Sequence, residues 1–369
     1  MNILKKSAAV LFGCAVAIIL AEIILRIYNP FGFRVRGHRI IIPKNEKFVI
    51  ENTKIPQLDR KIVHTKNSLG FRGPEPPENF HEYLTMVVVG GSTTECFYLQ
   101  DDQAWPSRLS ENLKREFRNV WINNAGLDGH GTFGHTILMR EYIVPLKPAL
   151  VLFFVGINDA GYHMEDQPGD LIQTNSLIYK SEFISLAVNL MNYVRTIRLG
   201  LGHIPLDFEN ARYFDVPDEK RSSMIEHHRM CSKSYERRLE NLIRISRENG
   251  IIPVFITQPA LFGYAIDDIT GRDLSRMEMG NFLRYMEGCM NGGIKWDILE
   301  VYNDVTRSVG AREDVWVVDL ARTMPKSTRY YYDEAHFTPA GAQKAADLIA
   351  EQFVPLLKNR YSKYLKRRP

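Results

Sequence analysis

Cysteine is scarce in this 369-residue sequence, which contains only 4. Cys14 lies inside an apolar run near the N-terminus, and Cys96, Cys231 and Cys289 are far apart along the rest of the chain. Their number and spacing do not make a disulfide framework of the kind that holds small secreted domains together. Buried free thiols are therefore favoured over a single bridge.

Histidines do not have the spacing of a zinc site. The 10 histidines include His130 and His135 in a glycine-rich stretch and the adjacent pair His227 and His228. Neighbouring residues on a helix point in different directions, so this pair cannot bind one ion from a helix. We therefore expect no metal and no other cofactor.

The sequence also lacks a strong excess of one charge. Its 47 Lys and Arg residues against 43 Asp and Glu give a formal net charge of +4. The basic residues are dispersed except in the C-terminal tail, residues 359–369, so there is no basic stripe for a nucleic acid and we expect no nucleic-acid binding. A solvated tail is favoured over contact with anionic lipid.

One long apolar run is present, from Ser7 to Leu25, and Glu22 is its only charged residue. It is long enough to cross a bilayer core, which takes about 20 residues. We therefore predict that residues 1–26 form a signal-anchor transmembrane helix and that the protein binds the membrane through it. Lys5 and Lys6 favour a cytoplasmic N-terminus and an extracytoplasmic chain beyond the helix.

Three observations keep alternatives to this anchor open. Ala15-Val16-Ala17 resembles a signal-peptide cleavage site, although the apolar run continues beyond it. Leu11 to Cys14 resembles a lipoprotein box, but the apolar region before it is too short. The basic residues after the run weaken the charge asymmetry that orients a span; they are Arg26, Arg34, Arg36 and Arg39.

Four short polar segments follow one another along the chain. They are Gly90-Gly91-Ser92-Thr93-Thr94, Asn124-Ala125-Gly126, Gly156-Ile157-Asn158-Asp159 and Asp333-Glu334-Ala335-His336. The first three each come after an apolar run that reads as a strand. Because the carboxyl ends of parallel strands meet at one edge of a sheet, we expect these segments to lie together.

Their residue types match the parts that acyl transfer by a serine needs. Ser92 is the predicted nucleophile, at the start of a helix whose N-terminus favours negative charge. Asp333 and His336 are three residues apart, so one turn can bring the carboxylate to Nδ1 and leave Nε2 for the serine. The N–H groups of Ser92 and Gly126 and the amide of Asn158 are the predicted oxyanion donors.

With these motifs in this order, the sequence resembles the SGNH (GDSL-like) hydrolase family. The resemblance extends over roughly Met86 to Leu357 and implies a three-layer α/β/α flavodoxin-like fold and ester chemistry. By motif, Ser92 matches the nucleophile, Gly126 and Asn158 the oxyanion donors, and Asp333 with His336 the closing Asp-x-x-His. Gly91 is a departure, because the family usually has an acidic residue before the serine.

Hydrophobic periodicity places the predicted core at residues 84–358. Apolar runs predict a mainly parallel sheet of about five strands, with helices that begin near Trp105 and at Thr338-Pro339. Residues 27–83 read as a linker and a small preceding element, with strand signals at 47–50 and 60–65. In this segment, the string Asn67 to Pro74 predicts a structural turn, with Arg72 at the rim of the active site as the alternative.

Two stretches, 160–230 and 260–302, are longer than such a core needs, and we predict that they form a helical cap over the site. Their scattered aromatic residues could stack on a sugar, but packing within the cap is favoured. They are Tyr162, Tyr179, Phe183, Tyr193, Phe262 and Tyr264.

The sequence thus predicts a serine esterase that hydrolyses an acyl ester, O-acetyl being one case, on an extracytoplasmic carbohydrate or other acylated small molecule. An O-acyltransferase acting on a glycan through the same triad is the first alternative. A catalytically silent carbohydrate-binding or assembly module is the second. The oligomeric state is not predicted.

Overall fold

The structure of the chain is a computed structural model that describes residues 2–28, 35–36, 39–161, 181–199, 203, 205–279 and 290–366. Its strands are β1 (Val35–Arg36), β2 (Arg39–Ile40), β3 (Glu46–Glu51), β4 (Lys61–Lys66), β5 (Leu84–Gly90), β6 (Val120–Asn124), β7 (Leu150–Val155), β8 (Ile252–Thr257) and β9 (Trp316–Val318). Its α-helices are α1 (Asn2–Ile27), α2 (Ser92–Glu95), α3 (Trp105–Glu116), α4 (Thr132–Leu138), α5 (Val144–Leu146), α6 (Ile157–Gly161), α7 (Glu182–Leu199), α8 (Asp218–Glu248), α9 (Gly292–Arg312), α10 (Leu320–Thr323) and α11 (Pro339–Arg360).

The central sheet has five parallel strands in the order β6-β5-β7-β8-β9. This order is that of the flavodoxin-like fold, and it confirms the predicted sheet. Strands β5, β6 and β7 are buried along their whole length, as expected of parallel strands covered on both faces. The strand order reverses between β5 and β7, where such folds bind ligands.

Helices cover both faces of this sheet. Alternate residues of β7 divide between the faces: Leu150, Leu152 and Phe154 belong to the core cluster that includes α3 and α11. On the other face, α8 and α9 pack together against β8. Trp105, the first residue of α3, and Tyr235 of α8 are fully buried. The predicted three-layer α/β/α arrangement is therefore confirmed.

The segment before the sheet contains an antiparallel pair, in which Glu46 of β3 lies opposite Lys66 of β4. These strands confirm the extended signals at 47–50 and 60–65. A tight turn follows, in which Asn67 Oδ1 accepts hydrogen bonds from the N–H groups of Leu69 and Phe71 at 3.0 and 3.1 Å. After this turn, the backbone of Arg72 pairs in antiparallel orientation with that of Asn124, the last residue of β6.

The chain divides into two compact units, Met1–Ile42 with Asp166–Gly200 and Pro43–Glu165 with Leu201–Pro369. In the first unit, α1 contains a stretch, Lys5–Ile27, with a mean hydropathy of 2.7. Within the described ranges it is the single helix long and apolar enough to cross a membrane. By length and composition it fits an anchor or a signal sequence equally.

The second unit contains the sheet, and its core helices begin inside both predicted insertions. Helix α8 starts at Asp218 and α9 at Gly292, so the last residues of the stretches 160–230 and 260–302 belong to helices of the α/β/α layers. Three predicted features lie outside the described residues or side chains: the cap aromatics Tyr162, Tyr179 and Tyr193, the cysteine Cys289, and the tail end from residue 367. In the part of the chain that the structure describes, Cys14, Cys96 and Cys231 are not in disulfides.

Candidate active site

Ser92 begins the one-turn helix α2, two residues after the end of β5. The turn into the helix is tight, because the N–H groups of Thr94 and Glu95 both donate to the carbonyl of Gly91, at 3.0 and 2.9 Å. The short helix then ends at Cys96, which has a left-handed backbone with φ of 51°. Ser92 is therefore held at the carboxyl edge of the sheet, beside the point where the strand order reverses.

Asp333 and His336 lie in a loop just before α11. Thr338 caps that helix through its side-chain oxygen, which accepts the N–H of Gly341 at 3.0 Å. Within the loop, Asp333 Oδ1 accepts the backbone N–H groups of Ala335 and His336 at 2.9 and 2.8 Å. The local turn therefore orients the carboxylate before any contact with the imidazole is made.

The structure brings Ser92, His336 and Asp333 together. His336 Nδ1 lies 2.7 Å from Asp333 Oδ2, and His336 Nε2 lies 2.7 Å from Ser92 Oγ. An ionised carboxylate can only accept, so Nδ1 carries the proton and Nε2 is left to accept from the serine hydroxyl. This is the arrangement of a nucleophile, a base and a group that orients the base.

Burial and charge shift the pKa values of this pair in opposite directions. Burial by itself raises the pKa of Asp333, but the neighbouring His336 imidazole and its hydrogen bond outweigh burial and lower it below its usual value. Burial alone lowers the pKa of His336, but the Asp333 carboxylate outweighs it and raises the pKa. His336 is therefore a stronger base than a free imidazole.

Asn158 lies at the start of α6, directly after β7. Its Nδ2 donates to the carbonyl of His130 at 2.8 Å, which fixes the amide against the nucleophile turn. A Cβ atom on Gly91 would come within 2.1 Å of Asn158 Nδ2. The absence of a side chain at Gly91 is thus what lets the amide approach the residue before Ser92.

Gly126 is also beside the nucleophile helix, but its N–H donates to Asn124 Oδ1 at 2.9 Å. The Asn124 side chain in turn donates to the carbonyl of Thr94 at 2.7 Å. A Cβ atom on Gly126 would lie 2.4 Å from the backbone nitrogen of Glu95. In this conformation Gly126 allows close packing of two backbones, and its part as an oxyanion donor stays a prediction.

Asp159, the residue after Asn158, is buried and binds the first residue of α4. Asp159 accepts hydrogen bonds from the N–H and hydroxyl of Thr132, at 3.2 and 2.5 Å, and pairs with Arg238 at 3.2 Å. Burial raises the pKa of Asp159 despite these contacts. The carboxylate therefore fixes the start of α4, and with it the adjacent His130 carbonyl that orients Asn158.

Sequence reasoning missed His203, which lies against the imidazole of His336. The two ring centroids are 4.0 Å apart, and His203 Nδ1 lies 2.6 Å from the hydroxyl of Tyr332. The Tyr332 ring itself stacks on His336 at 5.6 Å with an interplanar angle of 13°. Tyr332 is adjacent to the Asp333 motif, but no pattern around His203 marked it as a site residue.

His203, Asp333 and His336 also form a group whose ligand atoms lie within 4.8 Å of one another, close enough for a metal ion. The hydrogen bonds above already engage both ring nitrogens of His336 and both oxygens of Asp333. These hydrogen bonds of the His336 nitrogens and the Asp333 oxygens fit proton transfer to and from the serine. The expectation of a metal-free site stays a prediction.

Two buried basic side chains bind the loops next to Ser92 and Asp333. Lys295 pairs with Glu334, the residue after Asp333, at 2.8 Å, and its side chain is 1% exposed. Arg72 donates to the carbonyls of Glu95, Cys96 and Leu99, at 2.6, 2.7 and 2.9 Å, just beyond the nucleophile helix. The turn that contains Arg72 is therefore structural, as favoured from the sequence.

A five-stranded parallel sheet with this site at its switch point defines a hydrolase of the SGNH type. The chain belongs to the GDSL-like lipase/acylhydrolase family, whose sequence model matches residues 88–344. It is therefore a hydrolase that acts on ester bonds. No curated protein matches the sequence.

Solved structures that match this chain share little sequence with it. A lipolytic protein of the G-D-S-L family from Desulfitobacterium hafniense is 12% identical, with a TM-score of 0.38 over 72% of this chain and 98% of its own. The acetylxylan esterase Axe2 from Geobacillus stearothermophilus, as a catalytic mutant, is 12% identical, with a TM-score of 0.42 over 72% and 92%. The α/β hydrolase LAE5 from the Lake Arreo metagenome is 15% identical, with a TM-score of 0.41 over 74% and 97%.

Proposed function

We propose that this chain is a membrane-anchored serine esterase that removes a small acyl group, acetyl in the first instance, from an extracytoplasmic carbohydrate. The observation that carries the proposal is the unbroken path of hydrogen bonds from Ser92 Oγ through the His336 imidazole to the Asp333 carboxylate, each 2.7 Å long. Few arrangements other than nucleophilic catalysis need a serine, an imidazole and a carboxylate in this order.

In the proposed reaction, Ser92 Oγ attacks the acyl carbon while His336 Nε2 takes the hydroxyl proton. His336 returns that proton to the departing sugar oxygen, which leaves the acyl group on Ser92. Water then attacks the acyl-enzyme with His336 again as the base, and the acid is released. Asp333 stays ionised throughout and stabilises the imidazolium. Asn158 and the N–H of Ser92 are the proposed donors to the oxyanion.

The surroundings of the nucleophile support a small acyl group and a sugar. Ser92 is only 8% exposed, which favours a small acyl group over a bulky one. The half-buried ring of Tyr98 lies 4.8 Å from that of His203, which in turn covers His336. Aromatic rings at a site entrance can pack against the apolar face of a carbohydrate ring.

The proposed location rests on α1. Its side chains are largely exposed, since 6% of its most apolar window is buried, as suits contact with lipid rather than with a protein core. Lys5 and Lys6 precede the apolar stretch, which supports a cytoplasmic N-terminus and a catalytic domain on the other side of the membrane.

The first test is Ser92→Ala, which removes the nucleophile with little change in volume. We expect hydrolysis of p-nitrophenyl acetate and of an acetylated oligosaccharide to fall by about 10⁶-fold in kcat, with an unchanged thermal unfolding midpoint. Ser107→Ala, in α3, is the matched control and should keep wild-type activity. Hydrolysis by the Ser92 variant at the wild-type rate would falsify the assignment.

Two further measurements separate the proposed esterase from its alternatives. A fluorophosphonate should label the wild type and not the Ser92 variant; a folded wild type that resists labelling would indicate a silent module. Product analysis with an added glycan acceptor should show mostly free acid. Acyl transfer that outpaces acid release would identify a transferase instead.

A further inference from the structure

The helix α7, Glu182–Leu199, exposes apolar side chains to its surroundings. Among the side chains that the structure describes in this helix, the exposed ones are uncharged and recur at helical spacing: Phe183, Ala187, Val188, Leu190, Met191 and Val194. Met191 is 71% exposed and Leu190 is 53% exposed. From Phe183 to Val194 the sequence contains no charged residue. A surface helix of a water-soluble protein carries polar residues on this face instead.

The less exposed side of the same helix carries polar residues beside the half-buried Ile184 and Leu186. Ser185 is buried, and Asn189 is half-buried and donates to the carbonyl of Ser185 at 2.8 Å. Small and polar side chains on the inner face with apolar ones outside are typical of helices that pack together in lipid. Among the described side chains of α7, the most exposed ones are apolar and the most buried one, Ser185, is polar, which is the reverse of a helix that faces water.

Helix α7 is attached to α1 through the one acidic residue of the apolar run. Glu22 accepts hydrogen bonds from the Ser181 hydroxyl at 2.7 Å and from the N–H groups of Glu182 and Phe183 at 3.1 and 3.0 Å. It also pairs with Arg26 at 2.7 Å. Glu22 thus satisfies the first N–H groups of α7, which water would otherwise have to satisfy.

The contact between Glu22 and the start of α7 stabilises the helix most if α7 starts within a lipid layer. Backbone N–H groups without partners are costly in hydrocarbon, so a helix end there needs an acceptor from the protein. An acidic residue is also costly inside a transmembrane helix unless it is paired. Glu22 and the start of α7 remove both costs together.

The length of the uncharged stretch decides how α7 can lie. At about 1.5 Å per residue, the stretch from Phe183 to Val194 is about 18 Å long, well short of the bilayer core of about 30 Å. It cannot cross the membrane, but it fits a helix that lies in the interface with its apolar face among acyl chains.

We propose that α7 is a second membrane-contacting element, an interfacial helix that α1 holds in place through Glu22 and that rests its exposed face on lipid acyl chains. The inference rests on the proposed anchoring through α1 and extends it. Two helices from distant parts of the sequence, α1 and α7, would contact the membrane. One of these two helices precedes strands β5, β6 and β7 in the sequence, and the other follows them.

The test uses a tryptophan introduced at the most exposed apolar position, Met191→Trp, in the full chain. The native tryptophans are Trp105, Trp121, Trp296 and Trp316, all outside α7. The protein is reconstituted into phosphatidylglycerol and phosphatidylethanolamine vesicles with or without brominated acyl chains, which quench tryptophan on contact. Met230→Trp, on the exposed face of α8, is the matched control.

We expect the emission added by Met191→Trp to be lost in brominated vesicles and kept in unbrominated ones, and the emission added by Met230→Trp to be kept in both. Vesicle flotation, measured on the same samples, separates the two proposals. Failure of the wild type to float would overturn the anchor. Flotation without quenching of the tryptophan at position 191 would overturn the role of α7 and leave the anchor standing. Equal quenching of tryptophans at 191 and 230 would do the same. So would a finding that contact between two copies of the chain, and not lipid, covers position 191.

Glu22 supplies a second readout in the Met191→Trp background. Glu22→Ala removes the acceptor for the start of α7, so we expect the loss of emission in brominated vesicles to diminish, while flotation is unchanged. Glu22→Gln keeps one acceptor oxygen and should keep most of the quenching. Equal quenching in the Glu22→Ala and parent proteins would contradict the proposed link between the two helices.

Discussion

Asp333 determines both the tautomer and the basicity of His336. Its carboxylate binds Nδ1 at 2.7 Å and, against the effect of burial, raises the pKa of the imidazole. The proposed mechanism requires the neutral imidazole, so we expect the rate of hydrolysis to fall as the pH drops through the pKa of His336, which lies above the ordinary value of 6.5.

Asp333→Asn should therefore change two quantities. We expect kcat to fall by about 10⁴-fold, because an amide permits the wrong imidazole tautomer. The acid limb of the pH–rate profile should also move to lower pH, because the pKa of His336 is no longer raised by a carboxylate. Asp347→Asn, a carboxylate on α11 away from the site, is the control. A profile that keeps its wild-type acid limb would show that another group titrates.

A substitution of Gly91 tests the close contact between this residue and the Asn158 amide. The missing Cβ of Gly91 would lie 2.1 Å from Asn158 Nδ2, so Gly91→Ala should displace that amide. Removing one oxyanion donor typically costs about 10²–10³-fold in kcat, and we expect Gly91→Ala to approach that loss. The double variant with Asn158→Ala should then be no slower than Asn158→Ala alone. Additive losses would mean that Gly91 acts independently of Asn158.

Helix α2, which begins at Ser92, is too short to be stable by itself. Helix α2 is 4 residues long, whereas isolated helices below about 12 residues are marginal in water. Its neighbours stabilise it: Arg72 binds the carbonyls at its C-terminal end. The buried Glu95 lies 3.5 Å from Lys66 and accepts the N–H of Asp128 at 2.7 Å. Residues that lie before and after strand β5 in the sequence thus hold helix α2 in place.

Arg72→Ala should loosen this one-turn helix. Each buried carbonyl left without a donor costs about 1–3 kcal/mol, so we expect the free energy of unfolding to drop by at least about 2 kcal/mol. A shift of the serine by about 1 Å can cost about 10²-fold in kcat. Arg72→Lys should recover little, because an ammonium cannot span the carbonyls that a guanidinium fork reaches. Arg60→Ala, at an exposed position, should leave kcat and stability unchanged.

At the scale of the whole molecule, buried histidines make folding sensitive to acid. His64 packs between the rings of Phe48 and Phe97, at 4.9 Å from each. Burial lowers its pKa to about 4, and burial also lowers that of His135 to about 4. Below pH 6.5 the unfolded chain binds protons that the folded chain does not, so stability is complete above that pH and is lost as the pH falls toward 4.

We expect the free energy of unfolding, measured by urea titration of the full chain, to fall steadily from pH 6.5 to pH 4. In that window each such histidine contributes a slope of about 1.4 kcal/mol per pH unit. His64→Leu should make the slope shallower by about that amount. His81→Leu, at an exposed position, should leave it unchanged. An equal slope in the wild type and the His64 variant would assign the acid sensitivity to other groups.

Local patterns were sufficient for the sheet and for the motif residues. The apolar runs that became β5, β7 and β8 are long and continuous, because a parallel strand covered on both faces must be apolar throughout. Thr338-Pro339 marked the start of α11 because capping depends on residues adjacent in sequence. The order of the polar segments placed Ser92 and Asn158 at one edge for the same reason: each follows directly from the end of its strand.

By itself, then, the sequence determined the fold class, the approximate positions of the sheet strands, the apolar N-terminal run and the residues that could perform ester chemistry. Only the tertiary structure decided which partners they meet. The ring of His203 on His336, the Arg72 fork behind α2, the bond from Gly126 to Asn124 and the link between Glu22 and α7 all depend on packing. Except for the bond from Gly126 to Asn124, each joins residues far apart in sequence, and periodicity and capping carry no information at that distance because they report only on neighbours along the chain.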